Sequence, residues 1–140
     1  MYPDTLNIKA TRRSPKVVMN NERIFIMGRS IIENPSTFYE PVISWIREFI
    51  KSWTGKTKID LGFEYINTGS TKWLYIILRE LSAKRQLAEN VEIRWHFERG
   101  DEDMCELGLI IRSLVNCPFS FVEVDAMNDR FYEEVSLKSS

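Results

Sequence analysis

The feature that most constrains this chain is an alternating apolar run that passes directly into a helical pattern. Apolar and polar side chains alternate over residues 58–66, as in a β-strand with one buried face. From residue 70 the apolar positions step by three and four, which predicts a helix over 70–86 that ends in Lys84 and Arg85. The sequence therefore predicts a strand, a tight turn over 65–70 and a helix that packs against a sheet.

The N-terminal part predicts a short strand and a hairpin. Leu6 and Ile8 are flanked by polar residues and by a proline, which limits this segment to a short edge strand. Two β-rich runs, 16–20 and 23–29, are separated by Asn20-Asn21-Glu22. Asparagine tolerates the left-handed conformation that tight turns use, so this tripeptide indicates a hairpin turn.

A long helix is predicted to start between residues 33 and 41. Thr37 and Glu40 have the spacing of a capping box, which would put Pro41 in the first turn. Gly55 fits the end of the helix. The apolar stripe of this helix consists of Phe38, Val42, Trp45, Ile46, Phe49, Ile50 and Trp53.

The second half of the chain repeats the strand and helix pattern. Alternation over 91–98 predicts a strand whose polar side, which carries His96, faces solvent. Acidic residues from Asp101 to Glu106 open a third helix, which Pro118 closes. Residues 119–124 predict a last strand, and about 126–140 are interpreted as a polar C-terminal tail with a weak helix at 131–135.

These elements predict an α/β fold in a single domain over residues 1–140. Because the strands alternate, we expect a mixed sheet with helices packed mainly on one face and with solvent on the other. A doubly wound sheet would need strands that are apolar on both faces. A chain of 140 residues is long enough for one such core.

Charge and hydropathy exclude several classes of partner. Nineteen basic and 20 acidic residues give a net charge of −1, so no overall field attracts nucleic acid or an anionic membrane. The chain shows no N-terminal signal pattern and no apolar run near the roughly 20 residues that span a bilayer, and we expect a cytoplasmic protein. We therefore expect Cys105 and Cys117, the only cysteines, to be reduced.

The residue pattern predicts no metal, cofactor or catalytic site. His96 is the only histidine, so the two cysteines lack partners for a zinc site. The acids between residues 101 and 106 are expected in a first helical turn from the helix dipole. Gly28 and Gly69 lack the spacing of a nucleotide-binding loop, and no set of nucleophile and base converges, so we expect that the protein is not an enzyme.

Thr68 and Ser70 in the turn allow compatible interpretations. Either hydroxyl can cap the second helix. A hydroxyl at a helix N-terminus is also exposed to a kinase, at a place where the macrodipole favours negative charge. A small anion-binding or ligand-binding site at the same turn is a further alternative.

Four segments in order carry a resemblance to a known family. They are Glu33-Asn34 ahead of a helix with Val42-Ile43-Ser44-Trp45-Ile46, Tyr65-Ile66-Asn67-Thr68-Gly69-Ser70, Ile93-Arg94-Trp95-His96-Phe97 and Cys117-Pro118-Phe119. In this order they resemble the SiaC-type regulatory phosphoproteins of bacterial biofilm and cyclic-di-GMP signalling. The turn also resembles, more faintly, the Asp-Ser-Ser-Gly phosphorylation turn of anti-sigma-factor antagonists, with Asn67 at the acidic position.

The resemblance implies a STAS-like domain that is phosphorylated by a dedicated protein kinase and dephosphorylated by a PPM-type phosphatase. The family's phosphoacceptor threonine falls on Thr68, with Ser70 as second choice, and Gly69 stands where the family turn has serine. The unphosphorylated form would bind and regulate a target such as a diguanylate cyclase, and an anti-sigma-factor antagonist is the alternative. We expect the partner-binding residues to be Glu33, Asn34, Asn67, Thr68, Gly69, Ser70 and Lys72.

Overall fold

The computed structural model describes residues 4–52, 55–83 and 90–137. These residues form one mixed six-stranded sheet, in which the spatial order of the strands follows the sequence. β1 to β3 pair antiparallel and β3 to β6 pair parallel, which confirms the predicted α/β class. The strands are β1 (Leu6–Ile8), β2 (Lys16–Met19), β3 (Arg23–Ser30), β4 (Thr57–Ile66), β5 (Val91–Glu98) and β6 (Phe119–Val124).

The β2–β3 connection is a hairpin turn, as predicted, but its backbone differs from the expected one. Among the described residues only glycines have positive φ, so the expectation of a left-handed asparagine is wrong. The side chain of Asn20 orders the turn instead, because its Oδ1 accepts the N–H groups of Glu22 at 2.9 Å and Arg23 at 3.0 Å. These two local side-chain hydrogen bonds thus order the turn without a left-handed asparagine.

Within the described ranges, three helices cover one face of the sheet: α1 (Pro35–Ser52), α2 (Thr68–Ser82) and α3 (Glu102–Leu114). Alternate strand residues such as Ile24, Ile59 and Leu61 point into this layer and are fully buried. The stripe of α1 packs there too, including Val42 and Phe49. Burial of these side chains, at about 1.5–3 kcal/mol each, is the main force that holds the layer on the sheet.

The helix starts differ in part from the predicted ones. α1 begins at Pro35, inside the predicted start region, so the capping box of Thr37 and Glu40 is wrong and Pro41 lies in the second turn instead of the first. α2 begins at Thr68, two residues earlier than predicted. The predicted stripe member Trp53 and the helix-end cations Lys84 and Arg85 lie outside the described residues.

The fourth helix, α4 (Asp129–Leu137), covers part of the opposite face, which was expected to face solvent. Tyr132 on α4 and the preceding Met127 are buried against Phe25 and Met27 of β3. Part of the segment interpreted as a polar tail is therefore folded against the sheet. The expectation of an entirely solvated second face is wrong. Three of the four described helices nevertheless pack on the first face, as predicted.

Candidate functional site

The predicted turn lies at the edge of the sheet where β3 and β4 end side by side. Ser30 and Ile66 are paired at the ends of these strands, and the N–H of Asn67 donates to the carbonyl of Ser30 at 2.8 Å. α1 and α2 start from the two strand ends, so their N-termini meet at this edge. The contact is close, because a Cβ built on Gly69 would lie 3.0 Å from Cγ of Pro35.

Asn67 is the residue that caps α2. Its Oδ1 accepts the N–H of Ser70 at 2.9 Å, and its backbone is extended, with φ −84° and ψ 169°, as an N-cap requires. Its Nδ2 donates to the carbonyl of Ile32 at 3.1 Å, which ties the β3–α1 connection to the start of α2. The capping interpretation of Thr68 and Ser70 is therefore wrong, since Asn67 performs that role.

Thr68 is the first residue of α2 and is exposed. Its hydroxyl makes no hydrogen bond to any residue of the described part of the chain. Glu33, Asn34, Gly69 and Lys72 are exposed as well. We call these five residues the Thr68 surface: they are five of the seven residues that the sequence assigned to partner binding, with Asn67 half-buried beneath them.

Ser70, the seventh residue, is 0% exposed. It lies beside the buried hydroxyls of Tyr39 and Ser30, and the oxygens of those two residues are 2.6 Å apart. Burial raises the pKa of Tyr39 to about 12, and the hydroxyls of Ser30 and Ser70 oppose that rise. Neither a kinase nor a binding partner can reach Ser70 in this fold, which argues against it as second phosphoacceptor and as a contact residue.

The N-termini of the helices differ in charge. α3 carries Glu102 and Asp103 in its first turn, and the Oδ1 of Asp101 caps it by accepting the N–H of Met104 at 3.1 Å. The acidic cluster of the sequence is thus a helix start. α1 and α2 have no acidic residue in their first turns, so the positive ends of both dipoles are left without a neighbouring carboxylate on their own helices.

A buried charged cluster, not recognised in the sequence, lies on the opposite face beside α4. Asp60 is 0% exposed and binds two arginines: its Oδ2 lies 2.8 Å from Nη2 of Arg23, and its Oδ1 lies 2.8 Å from Nε of Arg94. Asp60 occupies the polar phase of β4 and pairs in register with Arg94. That cross-strand match of acid and base was the available signal.

His96 lies next to this cluster and is only 6% exposed, so the prediction that it faces solvent is wrong. Its Nδ1 lies 3.2 Å from the carbonyl of Leu61, and its ring meets Phe131 of α4 edge-on. Burial lowers the pKa of His96, while the nearby carboxylate of Asp60 opposes this shift. The imidazole is therefore a packed side chain beneath α4.

The two cysteines are unpaired and partly buried. Burial raises the pKa of the Cys117 thiol to about 11, which disfavours the reactive thiolate at neutral pH.

A separate polar cavity of about 470 Å³ is lined by Arg12, Arg29, Glu64 and neighbouring residues, none of them from the Thr68 surface. No helix in the described ranges has both the length and the apolar character to cross a bilayer.

Comparison with known proteins identifies the family. The family model described as "SiaC family regulatory phosphoprotein" matches residues 8–124. An uncharacterized protein of Pseudomonas aeruginosa (strain UCBPP-PA14) is 30% identical over 117 residues, which cover 82% of this chain and 93% of the relative.

Solved structures agree with this match. SiaC of Pseudomonas aeruginosa superposes with a TM-score of 0.79 at 27% identity, covering 87% of this chain and 100% of its own. A chain in the crystal structure of the diguanylate cyclase SiaD in complex with its activator SiaC, from the same organism, has a TM-score of 0.79 at 29% identity and covers 85% of this chain and 99% of its own. This protein therefore belongs to the SiaC family of regulatory phosphoproteins, as the ordered segments of its sequence indicated.

Proposed function

We propose that this protein is a non-enzymatic regulator that is switched by reversible phosphorylation of Thr68. In the proposed cycle the unphosphorylated form binds and regulates a diguanylate cyclase, and a dedicated kinase and a PPM-type phosphatase set the phosphorylation state in the cytoplasm. The observation that carries the proposal is the exposed hydroxyl of Thr68, which no described residue engages, at the start of α2 in a member of a phosphoprotein family. A solved relative, SiaC, is described as the activator of the diguanylate cyclase SiaD.

Phosphorylation at this position is expected to leave the fold intact. A phosphate adds about −1.5 to −2 charges, and the N-terminus of α2 has no acidic residue in its first turn that would repel them. The cap is also independent of Thr68, since Asn67 makes it. The added charge therefore acts on what binds to the surface and leaves the domain folded.

The effect on binding follows from desolvation. If the Thr68 surface packs against a partner, a phosphate dianion there must lose its hydration or be expelled from the contact. Burial of an unpaired charge costs several kcal/mol, which corresponds to an affinity loss of about a hundredfold or more. Phosphorylation then releases the partner.

The alternatives differ in partner or in chemistry. An anti-sigma-factor antagonist would share the phosphorylation logic and bind a different protein. A small anion site at the turn has less support, because two of the four N–H groups at the start of α2 are already engaged. The N–H of Ser70 donates to the side chain of Asn67, and the N–H of Asn67 donates to the carbonyl of Ser30. The burial of His96 and the raised pKa of the Cys117 thiol support a protein that does no chemistry of its own.

The test begins with the protein isolated from its native cell. Intact-mass measurement followed by peptide mapping should find a fraction of the protein 80 Da heavier (the mass of HPO₃), with the phosphate on Thr68. Affinity capture with the wild type and with Thr68→Ala should recover the same diguanylate cyclase. A phosphate mapped elsewhere contradicts the proposed site, and capture of an anti-sigma factor instead of a cyclase supports the alternative.

A further inference from the structure

The two chain segments that form the proposed phosphorylation site contain few basic residues. The site is built from two segments, 30–46 with the start of α1 and 63–78 with the start of α2. Segment 30–46 contains no lysine or arginine, and segment 63–78 contains one, Lys72. The same segments carry the acids Glu33, Glu40 and Glu64, of which Glu64 is paired with Arg29, and Lys72 is their only cation.

Lys72 stands in a defined relation to Thr68. The two residues are four apart in α2, which begins at Thr68, so they lie on the same side of the helix one turn apart. Side chains on a helix lean toward its N-terminus, so we expect the Lys72 side chain to extend toward the turn that contains Thr68. An acid placed four residues before a lysine is also the more favourable order for a helical ion pair.

Lys72 is available for this role. It is exposed and forms no ion pair with any residue in the ranges that the structure describes. The other exposed cation of α2, Arg79, is eleven residues from Thr68, about 16 Å along the helix axis. A phosphate on Thr68 therefore has one lysine within reach on its own helix.

We propose that Lys72 is the intramolecular counter-ion of phosphorylated Thr68, so that phosphorylation both adds a dianion to the Thr68 surface and withdraws its only cation from a partner. This inference rests on the proposed function. In the unphosphorylated protein the ammonium group of Lys72 is free to contact an acidic residue of the partner. In the phosphorylated protein the same ammonium group is paired with the phosphate on Thr68.

The test measures the ionisation of the phosphate itself and needs neither kinase nor partner. Phosphothreonine is installed at position 68 during synthesis of the chain, and its 31P resonance is titrated at low ionic strength in wild type, Lys72→Gln, Lys72→Arg and Arg79→Gln. A neighbouring ammonium stabilises the dianion, so Lys72→Gln should raise the second pKa of the phosphate by about 0.15–0.4 units from its value near 6.

The control variants make the result specific. Lys72→Arg should restore the wild-type titration, and Arg79→Gln, which removes the same charge from the same helix, should titrate as wild type. The difference between wild type and Lys72→Gln should shrink in about 1 M salt, where screening acts over roughly 3 Å. If Lys72→Gln and wild type titrate alike at low salt, the inference is overturned, whereas failure to find phosphate on Thr68 in the native protein would strike the proposed function alone.

Discussion

Replacement of Asn67 by alanine is the sharpest test of how the site is built. Asn67 is half-buried and makes two side-chain hydrogen bonds in opposite directions: Oδ1 accepts from the N–H of Ser70 at 2.9 Å, and Nδ2 donates to the carbonyl of Ile32 at 3.1 Å. The first bond caps α2 and the second fixes the β3–α1 connection beside it. Asn67→Ala removes both at once without touching the exposed Thr68 surface.

The magnitude follows from the two bonds. Loss of an N-cap side chain costs about 1 kcal/mol, and loss of a net hydrogen bond costs about 0.5–1.5 kcal/mol. We therefore expect Asn67→Ala to lower the free energy of unfolding by about 2 kcal/mol, which for a domain of this size lowers Tm by about 4–8 °C. Asn67→Asp keeps the cap acceptor and loses the Nδ2 donor, so it should recover about half of the loss.

The assay is urea unfolding followed by circular dichroism, with Thr68→Ala as the matched control. Thr68 is the adjacent residue and is exposed without a described hydrogen bond, so its replacement should change the free energy of unfolding by less than about 0.5 kcal/mol. If Asn67→Ala is no more destabilising than Thr68→Ala, the assignment of Asn67 as the cap is refuted.

Three further predictions concern the sheet and the helix α3 that packs on it. Asp60→Asn should lower the free energy of unfolding in urea by about 3–5 kcal/mol, because two arginines lose their buried carboxylate. The control Glu133→Gln, at an exposed ion pair, should lower it by less than about 1 kcal/mol. Equal effects of the two substitutions would contradict the role of the cluster. Because the pKa of His96 is lowered in the folded protein, the imidazole binds a proton more readily in the unfolded chain. The free energy of unfolding should therefore be highest above about pH 6.5 and fall as the pH drops below that value. His96→Gln should flatten that part of the pH profile of Tm, and an unchanged slope would count against it. Gly108→Ala should lower the free energy of unfolding by about 1–3 kcal/mol, although alanine has the better helix propensity, because the new Cβ would lie 2.6 Å from the side chain of Trp95. A neutral result in the same urea assay would contradict this packing, since it would mean that the helix can move to make room.

The strands and the first three helices were predictable because their signals are local. Alternation over 58–66 and 91–98 gave β4 and β5 closely, since period two shows directly in the sequence when one face is buried. The buried side of α2 was also readable. Ser70 lies four, seven and eleven residues before Leu74, Ile77 and Leu81, which are all buried, and this phase places its hydroxyl in the core.

The cover over the second face of the sheet could not be predicted by the same means. Met127, Phe131, Tyr132 and Val135 are apolar residues of a polar segment, and their contact with Phe25 and Met27 joins positions about 100 residues apart in the chain. Local periodicity carries no information on such a contact. The same segment buries His96, which the alternation of β5 had assigned to solvent.

The cap of α2 was also beyond the pattern. Asn67, Thr68 and Ser70 are all residues that favour an N-cap, and the sequence does not specify which of them has extended backbone. The distinction matters for function, because a capping hydroxyl is engaged and a neighbouring one is free. The helical phase marks Ser70 as buried, but only the geometry of Asn67 shows that Thr68 does not make the cap and is unbonded within the described residues.

The central claim is tested most directly by the affinity of the captured diguanylate cyclase for two forms of this protein, one unmodified and one with phosphothreonine installed at position 68. Titration calorimetry should give saturable binding for the unmodified form and an affinity at least about a hundredfold lower for the phosphorylated form, with both forms equally folded by circular dichroism. Equal affinities for the two folded forms would contradict the account.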